Sequence, residues 1–322
     1  MKAIRLHETG DPDVLTYEKV PVPEPEAGQA RVTIEAIGVN FIETYQRSGQ
    51  YPVALPFGIG QEAAGVVDAV GADVTEVQVG DRVAWAMQAG SYAEASAIDA
   101  SMLVPIPEGV ETRTAAAVML QGMTAHYLAM SAYPIKAGDD ILIQAAAGGV
   151  GALLTQIAKK QGARVFGTVS TEEKAAIARE AGVDEVIFYT KTDFAKEVRR
   201  LTDGVGVNVV YESVGKETFE QSLDSLKPRG YLVLFGQSSG AVAPVNPQLL
   251  NQKGSLFLTR PTLGDYIATR EELLWRAVDL FQWIGDGSLQ VRVDATFDLA
   301  DAPEAHRYLE ARKTKGKVLL IP

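Results

Sequence analysis

The sequence contains no cysteine. That excludes a disulfide framework, a catalytic thiol and any thiolate metal site. Histidine is scarce. His7, His126 and His306 are the only three, and no two have a ligand spacing such as i, i+4. No metal is expected, and each histidine is read as a surface or packing residue. Positive charge is also short: 30 Lys and Arg against 41 Asp and Glu give a formal net charge of −11. An acidic surface repels phosphate polyanions and anionic lipid, so neither nucleic acid nor a membrane is an expected partner. The N-terminal stretch MKAIRLHETGD lacks an apolar h-region, so a cytoplasmic protein is expected. Residues 141–158 carry no charge over a length that would span a bilayer. Gln144, Gln156 and three glycines interrupt them, and the period changes midway. A buried strand followed by a core helix explains the run better.

What is present is an ordinary globular composition, 47% hydrophobic and 22% charged over 322 residues, long enough for two domains. Residues 1 to about 120 read as mostly β, with RVTIEAI, GVVDAV and DRVAWA broken by Gly and Pro. PVPEPEAG (21–28) reads as a loop. From about 139 the pattern becomes strand–helix alternation. Candidate strands are ILIQA (141–145), RVFGTV (164–169), EVIFY (185–189), VNVVYE (207–212), YLVLFG (231–236) and SLFLT (255–259). The spacing of Val150, Leu153, Leu154, Ile157 and Ala158 predicts the first helix. Ser170-x-x-Glu173 predicts the start of the second, and Gly182 its end. The fold class is α/β, with a doubly wound parallel six-stranded sheet. The final strand, KVLLIP, is expected to return to the first domain. The expected division is 1–122 with 290–322, and 123–289.

The turn after the first of these strands carries the chemistry. Ala146, Gly148 and Gly151 fill the small positions of a Gly-x-Gly-x-x-Gly pattern, with Gly149 extra. Small residues allow a tight turn and a close backbone approach to a pyrophosphate, which then faces a helix N-terminus. An isolated match is weak, since such turns also serve as connectors. Here it follows a strand, opens a helix and begins a βαβ series. An NAD-type site needs Asp or Glu at the end of the second strand. Thr168, Val169 and Ser170 stand there instead, and Lys174 follows one turn later. NADP is therefore favoured. Against this, Lys174 has the alternative of a plain exposed lysine, and Glu172 and Glu173 lie close by. Glu212, Ser213 and Gly215, with Phe235, Gly236, Gln237 and Ser238, end later strands with polar or small residues. Those ends also suit ordinary turns.

GVNFIETYQRSGQYP (38–52), GIGQEAAGVV (58–67), VGDRVAW (79–85), AAAGGVG (145–151), YESVG (211–215) and LNQKGSLFLTRP (250–261) together resemble the quinone oxidoreductases related to ζ-crystallin. These form a branch of the medium-chain dehydrogenase/reductase superfamily, and the resemblance covers essentially the whole chain. It implies a GroES-like β-rich catalytic domain, a Rossmann domain, and reduction of quinones by NADPH. It places NADPH contacts on Asn40, Phe41, Thr44, Tyr127, Gly149, Val150, Ser170, Lys174, Tyr189, Ser213, Phe235, Gly236, Gln237, Ser238, Phe257, Thr259 and Arg312, besides the turn glycines Gly148 and Gly151. Lys174, Tyr189 and Arg312 would surround the 2′-phosphate. Zinc relatives carry Gly-His-Glu where this chain has Gly60-Gln61-Glu62. Gln61 is no substitute for that ligand, so zinc-free chemistry is implied. Glu43 stands where relatives often carry Asp.

A quinone is already electron-poor, so the cofactor carries the hard chemistry and the protein supplies placement. Asn40, Tyr45, Tyr51 and Gln61 are the catalytic candidates for stabilising a developing oxyanion. Each has a structural alternative: a buried Asn ties down a loop, and a Tyr packs with its hydroxyl outward. The competing enzyme reading is a reductase of enones or acryloyl thioesters. A third reading is a non-catalytic NADPH-binding protein. The apolar edge strand 254–259 is expected to pair with its twin in a homodimer.

Overall fold

The computed structural model describes residues 1–311 and 313–322. The chain divides into two compact units, Met1–Met123 with Tyr266–Pro322, and Thr124–Asp265.

The second unit is a parallel sheet of six strands. Their order is Glu185–Phe188, Arg164–Val169, Asp140–Ile143, Val207–Glu212, Leu226–Leu234 and Phe257–Thr259. In chain order this is 3-2-1-4-5-6, the doubly wound arrangement, with the switch point between strands one and four. Five helices of six residues or more separate the strands, the first being Gly149–Lys160. Leu142, Phe166, Val210 and Leu232 lie in one buried cluster, as near-continuous apolar runs require when both faces are covered.

Two boundaries differ from expectation for local reasons. The second helix is capped by Thr171 rather than Ser170, since the Thr171 hydroxyl accepts from the Lys174 N–H at 3.2 Å. The last strand begins at Phe257 rather than Ser255. Ser255 has φ of 57°, and the Leu256 N–H is taken by the Leu250 carbonyl. A left-handed residue cannot continue a strand.

The first unit is β-rich. Seven strands form its main sheet, with Gln29–Val39 and Glu62–Val70 at the centre, and three more form a smaller one. The C-terminal strand Lys317–Ile321 pairs antiparallel with Gln29–Val39. The chain therefore does return to its first unit. Val32, Ile37, Ile59, Trp85 and Leu320 share the core. The observed boundary at 265/266 differs from the expected one at 289/290. Arg270 donates to the carbonyls of Ser101 and Leu103 at 2.6 Å each, which ties helix Arg270–Gly285 to this unit. Among the described residues, no helix is long and apolar enough to cross a membrane.

Candidate active site

In the second unit the glycine turn has the geometry its sequence requires. Gly148 is the N-cap of helix Gly149–Lys160 and supplies no capping side chain. The first N–H groups of such a helix are available to an anion. Gly151 is buried, and a Cβ there would collide with the Ala145 carbonyl and lie 2.9 Å from Ala146 Cα. That contact is the close helix–strand approach that the third small position permits. Gly149 and Val150 are half-buried at the helix start.

Ser170 directly follows the second strand, and its carbonyl accepts from the Thr190 hydroxyl at 3.4 Å. That bond brings the segment of Tyr189, which is exposed, beside the segment leading to Lys174, which is half-buried. Arg312 lies outside the described residues. Ser213 and residues 235–238 come together through the backbone. The Phe235 and Gly236 N–H groups donate to the Glu212 carbonyl at 2.9 and 3.3 Å, and that of Ser238 to Ser213 at 3.2 Å. Gln237 is half-buried beside them. Tyr127, the last residue of helix Thr112–Tyr127, is 2% exposed. Thr259 pairs with Val233, near the strand ends. The Phe257 ring stacks on Tyr231, centroids 4.4 Å apart. A surface groove of about 540 Å³, between Phe219 and Leu249, contains none of these residues.

Beneath the turn runs a buried relay that sequence reasoning missed. The Ala145 N–H donates to the Thr168 hydroxyl at 3.2 Å, which donates to Gln144 Oε1 at 2.6 Å. Gln144 Nε2 donates to the Ser222 hydroxyl at 3.1 Å, which donates in turn to Glu212. The other Glu212 oxygen accepts from the N–H groups of Val214 and Gly215 and from Thr218. The ends of three strands are thereby pinned together. Burial pushes the Glu212 carboxyl up, and its four hydrogen bonds pull it back. The available signal was Gln144, a polar residue ending an otherwise apolar strand.

In the first unit, the candidates cluster around a second buried network. Asn40 is the N-cap of helix Phe41–Arg47. Its N–H donates to Glu43 Oε2 at 2.7 Å, half of a capping box that Asn40-x-x-Glu43 announces in sequence. The other Glu43 oxygen accepts from the Gln61 N–H at 3.1 Å. The Gln61 amide lies 3.5 Å from Gln46 Oε1. Asn40 Nδ2 donates to Glu62 Oε2 at 2.9 Å, and Asn40 Oδ1 accepts from Lys317 Nζ at 2.7 Å. Lys317 also pairs with Glu62. Both ends of the Asn40 amide are therefore engaged within the protein. Tyr45 and Tyr51, both half-buried, are neighbours, with ring centroids 5.2 Å apart. Phe41 lies 6.2 Å from Tyr45, and Thr44 is buried, its hydroxyl turned back to the Phe41 carbonyl.

Burial pushes the Glu43 carboxyl up to about 8, with Lys317 and the backbone N–H groups of Glu43 and Asn40 opposing and Glu62 reinforcing the shift. His126 and His306 are buried and His7 is half-exposed beside Glu18. The His306 ring meets the Tyr92 hydroxyl at 3.1 Å, and burial with Arg47 nearby lowers its pKa to about 3.

Fold and turn together define the class: a dinucleotide-fold dehydrogenase/reductase with a GroES-like unit. The family model of the alcohol dehydrogenase GroES-like domain matches residues 26–108, and that of the zinc-binding dehydrogenases matches residues 149–278. A quinone oxidoreductase of Pseudomonas aeruginosa is 47% identical over 100% of this chain and 99% of its own. A 2-haloacrylate reductase of a Burkholderia species is 42% identical over 98% of each. The structure of Escherichia coli quinone oxidoreductase complexed with NADPH has a TM-score of 0.98 and 44% identity, covering 100% of both chains. This chain belongs to the quinone oxidoreductase family of the medium-chain dehydrogenase/reductases.

The zinc named in one family model does not suit these residues. The chain has no cysteine, and among the described residues no three His, Asp or Glu side chains are grouped to hold a metal. At Gly60-Gln61-Glu62 the Glu62 oxygens are taken by Lys317, Asn40 and the Leu120 N–H.

Proposed function

We propose that this protein reduces quinones with NADPH. The observation that carries the reading is the glycine turn: a strand, a helix start without a capping side chain, and Gly151 wedged against the Ala145 carbonyl. That cradle fits a pyrophosphate. The second strand ends in Thr168 and Val169 and is followed by Ser170, with no carboxylate among them to bind a ribose 2′-hydroxyl or repel a 2′-phosphate. Thr168 is committed to the buried relay, which leaves Ser170, Lys174 and Tyr189 as the phosphate-side set among the described residues. Ser213 and Phe235–Ser238 offer backbone and small side chains to the nicotinamide, joined by Tyr127 and Thr259.

NADPH, when bound, supplies the hydride. The chain's own task is to bind, to orient and to provide a hydrogen bond for the oxygen that gains charge. Tyr45 and Tyr51 carry hydroxyls on an aromatic wall suited to a flat acceptor. Asn40 and Gln61 act behind that wall, because the Asn40 amide and both Glu43 oxygens are already engaged. Glu43, held between Asn40 and Gln61, joins these two segments rather than meeting the acceptor.

A second reading rests on the 42% identity to a 2-haloacrylate reductase. The same hydride would then go to a carbon–carbon double bond beside a carbonyl. The test is the initial rate of NADPH oxidation, with NADH in parallel, using a naphthoquinone and then an α,β-unsaturated ketone. Turnover with quinone and NADPH supports the reading. Turnover with the enone alone moves the assignment to the second one. Tight NADPH binding without turnover on either leaves a non-catalytic binding protein.

The homodimer belongs to the same proposal. Strand Phe257–Thr259 is the last of its sheet and pairs only with Leu226–Leu234 among the described residues. Such an edge is open to a twin. A monomeric mass by light scattering would count against it.

A further inference from the structure

The buried lysine of the C-terminal strand is part of neither the cofactor cradle nor the aromatic wall. Lys317 is 1% exposed and Glu62 is fully buried. A buried carboxylate needs a compensating charge. With no metal suited to this place, Lys317 is the cation that Glu62 has. It arrives from 255 residues away in sequence. Room for the pair is made at Gly38, where a Cβ would collide with the Glu62 carboxylate.

The pair also decides how Asn40 is turned. An amide has two nearly equivalent orientations unless its partners distinguish oxygen from nitrogen. Here they do. The ammonium of Lys317 can only donate, so it takes Oδ1; Glu62 Oε2 can only accept, so it takes Nδ2. Asn40 in turn caps helix Phe41–Arg47, whose first turn holds Phe41 and Thr44 and whose next residue is Tyr45. Glu62 Oε1 anchors the whole assembly to the Leu120 N–H of helix Thr112–Tyr127 at 2.6 Å.

We propose that Lys317 is a positioning residue for the reductase: by fixing the orientation of Asn40 it sets the start of helix Phe41–Arg47, and with it the wall that faces the acceptor. It touches no reacting atom. This rests on the reductase reading given above.

Removing Lys317 alone leaves Glu62 buried without its counter-charge, and that variant can fail to fold. The informative variant is the double one, Lys317→Met with Glu62→Gln, which removes both charges at similar volume. It is compared with the wild type in thermal unfolding, NADPH binding and quinone turnover. The expected result is near-normal melting, with kcat lowered by roughly tenfold or more, since small displacements of a positioning group have effects of that size. Turnover within about twofold of wild type overturns the proposal. So does a joint loss of turnover, NADPH binding and thermal stability, which is the mark of a merely structural pair. A crystal structure of the double variant answers without any turnover. An Asn40 side chain turned away and a displaced helix start support the proposal, and an unmoved helix start overturns it. A wild type inactive on every quinone tried defeats the functional reading, and the crystal structure still decides the role of Lys317.

Discussion

In the β-rich unit the polar groups buried behind Asn40 centre on an ion pair, Lys317 with Glu62, and Glu43 is packed into the same network. In the Rossmann unit the groups buried behind the glycine turn are neutral hydroxyls and an amide, Thr168, Gln144 and Ser222, ending on the single carboxylate of Glu212. Both networks do the same work, pinning strand ends that carry binding residues. They differ in how the buried carboxylate is balanced. Glu62 relies on a cation brought by the last strand of the chain, whereas Glu212 is held by two hydroxyls and two backbone N–H groups from its own neighbourhood. The first arrangement fails at one residue. The second is distributed, and each bond is worth less.

The largest effect should follow from breaking the ionic arrangement. Glu62→Leu leaves the Lys317 ammonium buried without its carboxylate, and uncompensated buried charges destabilise by roughly 3–5 kcal/mol. Urea unfolding followed by tryptophan fluorescence measures it. The matching change in the other unit is Ser222→Ala. It removes a donor to Glu212 and an acceptor from Gln144, and should destabilise by about 1–3 kcal/mol. If the two variants lose the same stability, the contrast between a concentrated and a distributed balance is wrong.

That contrast also marks what the sequence could tell. The glycine turn, the six-strand alternation and the returning last strand were legible because each rests on local pattern: small residues at fixed spacing, or apolar runs between turn signals. The missing carboxylate at Thr168–Ser170 was legible for the same reason. The Lys317–Glu62–Asn40 network was not, because its members lie up to 277 residues apart and only the folded sheet brings them together. Asn40 was picked out as a catalytic candidate, but nothing local announces that both ends of its amide are already engaged. The stacking of Phe257 on Tyr231 was not legible either, because pairing register, invisible to a single strand's sequence, sets them opposite. The start of helix Arg270–Gly285 reads as part of the preceding domain until Arg270 is seen bound to Ser101 and Leu103.

A medium effect is expected from pH. Burial raises Glu43 to about 8, from an ordinary 4.5. The folded state therefore holds a proton that the unfolded chain has lost, and stability falls as pH rises from 4.5 to 8. His306 works the other way. Its folded value of about 3 lies below the ordinary 6.5, so stability falls as pH drops from 6.5 toward 3. The two oppose each other between 4.5 and 6.5. Between 6.5 and 8 Glu43 acts without His306, and its contribution should be on the order of 1 kcal/mol. Lys317, Glu62, Tyr92 and Arg47 are the other charged or titratable groups around this pair. Glu43→Gln should flatten the loss of stability above pH 6.5 and leave the acid side unchanged. A wild-type stability that is flat from 6.5 to 8 would show that Glu43 stays ionised.

The smallest effect belongs to the phosphate side of the Rossmann unit, where charges are exposed. Glu172 opens the helix that carries Lys174 and pairs with Lys191 at 3.6 Å, both side chains more than half exposed. An exposed pair of this kind contributes about 0.5 kcal/mol at most, so Glu172→Gln should barely move the unfolding midpoint. Its effect on NADPH should be favourable. One negative charge is withdrawn from the surroundings proposed for the 2′-phosphate, and Lys191 is released from its partner. The Kd for NADPH should fall by about twofold to threefold in dilute buffer, and the gain should fade as salt shortens the screening length to roughly 3 Å near 1 M. NADH, which lacks that phosphate, should bind the variant and the wild type alike. An equal gain for both cofactors would mean that Glu172 acts on the helix terminus rather than on the phosphate, and would remove Lys174 and Ser170 from the proposed pocket.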